Sequence, residues 1–214
     1  MQFFLDTAKI DEIRKAMDWG ILDGVTTNPS HIADTGRHFR EVVHEIAELV
    51  PGPVSVEVVA TEAEKMIEEA QSIAAMAPNI VVKIPTIKEG IRATSKLTPM
   101  GIKINHTLVF SAAQALLVAK VGATYVSPFV GRLDGIGQSG MDLVRQIRTI
   151  YCNYGFDTKI IVSAVRHPGH ILEAALIGAD VATSRLDVIE QLFDHPMTDI
   201  GLKRFLKDWE RVPQ

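Results

Sequence analysis

The feature that most constrains this chain is an alternation. Short runs of β-branched and apolar residues, each followed by a stretch of helical period, recur from one end to the other. The runs predict strands at Gln2–Asp6, Gly24–Asn28, Val54–Ala60, Ile80–Pro85, Ile102–Thr107, Thr124–Phe129, Lys159–Val165 and Asp180–Arg185. Among the intervening helices, the first carries Ile10, Ile13 and Met17 on one face, and the third is expected to open on the capping box Thr61-Glu62-Ala63-Glu64. Eight strand–helix units in 214 residues, with no composition break or linker, predict an α/β protein, a (β/α)8 TIM barrel forming one domain over 1–214. The competing fold is a doubly wound open sheet, which usually has fewer strands at this length. Two segments are left over: Asp199–Trp209 reads as an additional C-terminal helix, and Pro128–Ser139 as a long loop after the sixth strand.

Composition narrows the function classes. With 47% hydrophobic and 22% charged residues, the chain can bury a full core and is not intrinsically disordered. A net charge of -4 argues against coating nucleic acid or an anionic membrane. Cys152 stands alone, so no internal disulfide and no cysteine-held zinc are expected, in keeping with a reducing cytoplasm. The N-terminus turns acidic at Asp6, unlike a secretory signal, and no apolar run approaches the roughly 18 to 20 residues that span a bilayer.

In a barrel of this type the chemistry sits at the C-terminal ends of the strands, on side chains of inward parity. Lys83 lies in an otherwise apolar strand, and burial of a lysine disfavours its charged form and frees the amine to attack carbonyls. A snorkelling or ion-paired lysine is the plainer reading. Asp6 and Glu57 supply carboxylates for proton transfer, or simply a structural ion network at the barrel mouth. Asn28, Asn105, Thr107 and Ser127 suit a polyhydroxylated ligand. Arg132 and Arg166 suit a phosphate or sulfonate, unless they are surface arginines paired with Asp134 or Asp142.

Other motifs carry less. Gly135–Gly140 matches G-x-G-x-x-G but stands several residues beyond its strand, away from the strand-to-helix turn that binds dinucleotides. His167 and His170 are spaced like metal ligands, but Pro168 is expected to break a helix between them and no third ligand is evident. Met66 and Met76 read as core filling.

Five motifs together resemble the transaldolase family, in its small branch that includes the fructose-6-phosphate aldolases. They are Leu-Asp-Thr-Ala at 5–8, Gly-Val-Thr-Thr-Asn-Pro-Ser at 24–30, Val-Val-Lys-Ile-Pro at 81–85, Asn-His-Thr-Leu-Val-Phe-Ser at 105–111 and Ser-Pro-Phe-Val-Gly-Arg-Leu-Asp at 127–134. The resemblance implies a barrel enzyme with a Schiff-base lysine and no metal or organic cofactor. Lys83 would form the Schiff base, Asp6 would handle protons at the donor hydroxyls, and Glu57 and Thr107 would hold a proton-shuttling water. Asn28, Asn105 and Ser127 would bind donor hydroxyls, and Arg132 and Arg166 the terminal anion of a sugar phosphate. The resemblance further implies a homo-oligomer, a pentamer or decamer, with the last helix packed on a neighbour. Glu57 and Phe129 match the transaldolases, whereas the aldolases tend to carry glutamine and tyrosine there. Phenylalanine cannot protonate the enamine, so transfer to an acceptor is expected over simple cleavage.

Five positions depart from the family pattern. Where the family reads Ala-Ser-x-Arg, this chain reads Ser163-Ala164-Val165-Arg166, and strand parity would turn Ser163 toward the helices, leaving a methyl in the pocket. His31, His106 and Arg185 are also unusual, with Arg185 expected to add a third positive charge. His31 and the Ala-x-Arg arrangement look similar to transaldolases acting on 6-deoxy-6-sulfofructose. A sulfosugar therefore stands as a second candidate donor beside fructose 6-phosphate or sedoheptulose 7-phosphate. An aldolase releasing free dihydroxyacetone, a sugar-phosphate isomerase and a barrel that only binds its ligand are the competing functions.

Overall fold

The computed structural model describes residues 1–213. Eight parallel strands close into a barrel in sequence order: β1 (Gln2–Asp6), β2 (Gly24–Thr26), β3 (Val54–Glu57), β4 (Ile80–Pro85), β5 (Ile104–Val109), β6 (Tyr125–Pro128), β7 (Lys159–Val162) and β8 (Val181–Ser184), with β8 pairing back onto β1. The helices are α1 (Ile10–Asp18), α2 (Pro29–Asp34), α3 (Phe39–Leu49), α4 (Ala63–Ala74), α5 (Lys88–Leu97), α6 (Ala112–Lys120), α7 (Val130–Asp134), α8 (Gly140–Tyr154), α9 (Pro168–Ile177), α10 (Leu186–Glu190) and α11 (Pro196–Trp209). The TIM-barrel expectation stands, and so does the extra C-terminal helix.

Strand parity divides the buried residues in two. Leu5, Val25, Val56, Val82, Ile104 and Val126 join the large cluster between sheet and helices. Phe4, Val81, Tyr125, Ile161 and Val181 form a separate cluster, the apolar floor inside the barrel, where Phe4 and Tyr125 meet edge to face at 6.4 Å. Gly24 makes room for this floor, since a Cβ there would stand 2.7 Å from the Phe4 ring. Two residues along from Phe4, Val81, Tyr125 and Val181, on the same inward parity, come Asp6, Lys83, Ser127 and Thr183. The interior thus turns from apolar to polar in one step toward the mouth.

Several expected strands end early, each for a local reason. β2 stops at Thr26 because Asn28 becomes the N-cap of α2, its Oδ1 accepting from the His31 N–H at 3.0 Å with Pro29 in the first turn. β3 stops at Glu57, and the Glu69 carboxylate takes the N–H groups of Val59 and Ala60. β7 stops at Val162, and Ala164 then adopts φ 56°. β8 stops at Ser184, and Arg185 takes the N-cap position of α10 without a side-chain cap bond. β5 instead runs on to Val109, with a register irregularity against β6 and Leu108 at φ 57°.

The capping box expected at Thr61–Glu64 does not form. Glu62 precedes α4 without a side-chain cap bond, and the complete box lies at Ser111 and Gln114, before α6. The loop expected over Pro128–Ser139 contains α7, and Pro168 starts α9 rather than breaking it. No residue of α11 is buried, and Ile200, Phe205, Leu206 and Trp209 stand exposed, Phe205 at 72%. No helix among the described residues is long and apolar enough to cross a membrane.

His106 faces outward from β5 and is fully buried beside α5. Its Nε2 lies 2.9 Å from the Thr94 hydroxyl and its Nδ1 3.3 Å from that of Thr86. Thr86 already donates to the Thr107 carbonyl at 2.8 Å, so it accepts from Nδ1–H, and in the neutral ring that burial favours Nε2 then accepts from Thr94. Burial pushes its pKa down from 6.5 to about 4. The folded chain therefore refuses a proton that the unfolded chain accepts, and stability present above pH 6.5 is lost as pH falls toward 4. The loss should reach about 3 kcal/mol. Urea unfolding of wild type and His106→Gln between pH 7 and 4 should show the stronger acid dependence in the wild type.

Candidate active site

The polar upper layer converges on Lys83. Its Nζ lies 3.1 Å from Glu57 Oε2, and their side chains are only 6% and 15% exposed. Nζ also donates to the Thr27 carbonyl at 3.1 Å. Register brings the pair together, because Glu57 on β3 and Lys83 on β4 are direct partners, as are Lys83 and Asn105 on β5. A buried ammonium is costly alone, and one carboxylate and one carbonyl satisfy it here. The same carboxylate is the nearest base for the proton that Lys83 must lose before it can act as a nucleophile.

Around the lysine, hydroxyls and amides hold one another in fixed orientations. Ser127 donates to Asn105 Oδ1 at 2.7 Å, and Asn105 Nδ2 donates to Ser55 Oγ at 3.1 Å. Thr26 donates to Asp6 Oδ1 at 2.7 Å and meets the Thr183 hydroxyl at 2.6 Å, so Thr183 donates to Thr26 and Thr26 to the carboxylate. The Thr107 hydroxyl is buried with no hydrogen-bond partner among the described residues. Ser55, Thr26 and Thr183 are additions to the site residues expected from the sequence. Each sits on the inward parity of its strand, two residues from Glu57, Gly24 and Val181 respectively, and that is the signal that could have found them.

A cavity of about 140 Å³ opens over Lys83 and joins Asp6, Asn28, Ser127 and Phe129 to Arg132 and Arg166. The two arginines come from the segments after β6 and β7. The carboxylates that could neutralise them are engaged elsewhere: Asp134 with His170 at 2.9 Å, and Asp142 with Arg145 at 2.5 Å. The Arg132 guanidinium lies 5.0 Å from the centre of the Phe129 ring, which in turn packs edge to face on Phe110. The Arg166 side chain passes directly over Gly131, where a Cβ would stand 2.6 Å from Arg166 Cγ and 2.2 Å from the Ala164 carbonyl. Only glycine lets the two arginine segments approach this closely.

Three expectations change with the geometry. Ser163 lines this cavity, because it lies two residues beyond the inward-facing Ile161 and keeps that parity rather than turning toward the helices as expected, and Ala164 joins it because its left-handed backbone breaks the alternation. The Ser163 hydroxyl donates to the Ile161 carbonyl at 3.1 Å. Arg185 lies in a separate, larger cavity of about 430 Å³ across Asp6, where it forks onto Asp187 at 2.5 and 3.1 Å. It is therefore neutralised and does not join Arg132 and Arg166. His31 lines that same cavity, yet its ring contacts Asn28 Nδ2 at 3.2 Å and lies 3.8 Å from Asp6. His106, grouped with these from the sequence, is not at the mouth at all.

A family model described as transaldolase/fructose-6-phosphate aldolase matches residues 3–214. The chain is 63% identical over its whole length to a probable transaldolase of Aquifex aeolicus, covering 99% of that protein. It is 60% identical to a probable transaldolase of Dictyoglomus turgidum, with both chains fully covered. Among solved structures it resembles the inosine 5′ monophosphate dehydrogenase of Legionella pneumophila, with TM-score 0.61 and 15% identity over 88% of this chain and 58% of that one. That likeness concerns the fold alone.

Proposed function

Since this chain belongs to the transaldolase/fructose-6-phosphate aldolase family, we propose that its barrel mouth transfers a dihydroxyacetone unit through a Schiff base on Lys83. The observation that carries the reading is the buried lysine with Glu57 at 3.1 Å, inside a ring of hydroxyl and amide side chains. Lys83 Nζ attacks the ketose carbonyl, and loss of water leaves an imine whose protonated form draws electrons from the neighbouring carbons. Asp6 takes the proton from the C4 hydroxyl as the C3–C4 bond breaks and an aldehyde departs. The three-carbon enamine that remains attacks an acceptor aldehyde, Asp6 returns the proton, and hydrolysis of the imine frees the new ketose. Glu57 and Thr107 hold a water that carries protons during imine formation, which gives the Thr107 hydroxyl its partner.

Asn28, Asn105 and Ser127 meet the donor hydroxyls, and Arg132 and Arg166 the terminal anion. A sugar phosphate is the favoured donor, with glyceraldehyde 3-phosphate or erythrose 4-phosphate as acceptor. The methyl of Ala164 at the anion end supports a second reading, in which the anion is the sulfonate of 6-deoxy-6-sulfofructose. The exposed apolar residues of α11 support a homo-oligomer in which this helix packs on another copy of the chain, and sedimentation would give the subunit number.

Intact mass after borohydride reduction tests the reading, with fructose 6-phosphate and 6-deoxy-6-sulfofructose offered separately. A dihydroxyacetone adduct that is absent from Lys83→Ala supports it, and the faster donor identifies the anion. No adduct from either sugar on folded protein would overturn the covalent mechanism. Phe129→Tyr supplies a hydroxyl beside the enamine, and general acid help of this kind should raise release of free dihydroxyacetone relative to transfer by roughly tenfold or more. A coupled assay for dihydroxyacetone reads the ratio.

A further inference from the structure

The two arginines of the anion site ride on different segments, and one buried histidine links those segments. His170, in the first turn of α9, is buried with 7% of its side chain exposed. Its Nδ1 accepts from the backbone N–H of Arg166 at 3.3 Å. Its Nε2 lies 2.9 Å from Asp134 Oδ2, at the last residue of α7, the helix that carries Arg132. The other oxygen, Asp134 Oδ1, accepts from the Gly140 N–H at 2.9 Å and so ties α7 to the start of α8. An imidazole that accepts at Nδ1 must carry its proton on Nε2, which is the proton the carboxylate takes. Burial, and the His167 ring 3.9 Å away centroid to centroid, hold His170 below the ordinary imidazole range against the pull of Asp134, in keeping with a neutral ring.

We propose that His170 is a positioning residue for anion recognition: through Asp134 and the Arg166 backbone it sets the spacing of Arg132 and Arg166. It touches neither arginine's guanidinium and lies outside the Lys83 cavity, so its effect is confined to the anionic end of the donor. The inference rests on the reading of that end given above. It also explains why the contact over Gly131 is so close, since a bridge anchored on both segments draws Arg166 down onto α7.

The test compares wild type with His170→Ala, His170→Gln, Asp134→Asn and Arg166→Ala. The readouts are KM and kcat for fructose 6-phosphate, and the rate at which borohydride traps uncharged dihydroxyacetone on Lys83. His170→Ala should raise KM about tenfold, while kcat and dihydroxyacetone trapping stay within about twofold. His170→Gln should recover most of the loss, because its amide can accept from Arg166 and donate to Asp134. Asp134→Asn should raise KM in the same direction: either orientation of its amide sets the NH2 group against an N–H donor, that of His170 Nε2 or that of Gly140, and so breaks one of the two ties that Asp134 makes. Equal losses with dihydroxyacetone and fructose 6-phosphate in His170→Ala and Asp134→Asn would mark a structural role only and overturn the inference. An unchanged KM in both, with KM raised in Arg166→Ala, would overturn it while leaving the anion site standing. An unchanged KM in Arg166→Ala would remove the anion-site reading and this inference together.

Discussion

Lys83→Met should lower transfer activity by at least about a thousandfold, because methionine keeps the stem and its packing but has no amine to form the imine. Initial rates of aldehyde transfer measure the loss, and borohydride should leave the variant's mass unchanged with any donor. The same substitution should also cost stability. Glu57 is largely buried against Lys83, and removing one member of a buried pair strands the other charge, at a cost of about 3 kcal/mol. Adding Glu57→Gln should restore much of it, so the double variant should resist urea better than the single one. If Lys83→Met is as stable as wild type, Glu57 is not held by the lysine. If it keeps more than about a tenth of wild-type activity, Lys83 is not the nucleophile.

Removing both arginines should have the next largest effect. On the proposed reading each would contribute charge-assisted hydrogen bonds to a terminal anion, worth about 1.5 to 3 kcal/mol apiece. Arg132→Ala and Arg166→Ala should each lower kcat/KM for an anionic ketose by roughly ten- to a hundredfold. The double variant should fall short of the product, since the side chains converge on one cavity and share one ligand group. Trapping of dihydroxyacetone should barely change in any of the three. Because Arg132 also lies over the Phe129 ring, Arg132→Lys should recover less than charge alone would suggest. A single arginine whose loss leaves kcat/KM for fructose 6-phosphate untouched would have to be removed from the site.

Much of this architecture is legible in the sequence, because a strand side chain's direction follows from a period of two. Once Phe4 and Val81 are inside the barrel, Asp6 and Lys83 must be inside as well, one layer nearer the mouth. The same rule, applied to every strand, places Ser55, Thr26 and Thr183 inside and turns His106 away from the mouth. The rule fails where the strand ends. Ser163 keeps the inward parity of Ile161, but Ala164 lines the cavity beside it because its left-handed backbone resets the direction of the chain, and that dihedral is chosen by how the loop meets α7.

Charges outside the strands are the least legible. From its position Arg185 suits a third cation for the substrate, but its partner is two residues away on the first turn of α10, and the fork onto Asp187 uses it up. Arg132 and Arg166 read as readily as surface arginines, and they stay available because Asp134 is committed to His170 and Asp142 to Arg145. The His170–Asp134 link joins residues 36 positions apart in segments with no common period.

The sequence by itself therefore determined the barrel, its apolar floor and the lysine with its two carboxylates, since each follows from the periodicity of regular strands and helices. Only the tertiary structure decided which arginines line the cavity over Lys83, how Ala164 comes to share it with Ser163 and what His170 holds. Those depend on the paths of irregular segments after β6, β7 and β8, and such paths are set by contacts between distant residues rather than by any local repeat.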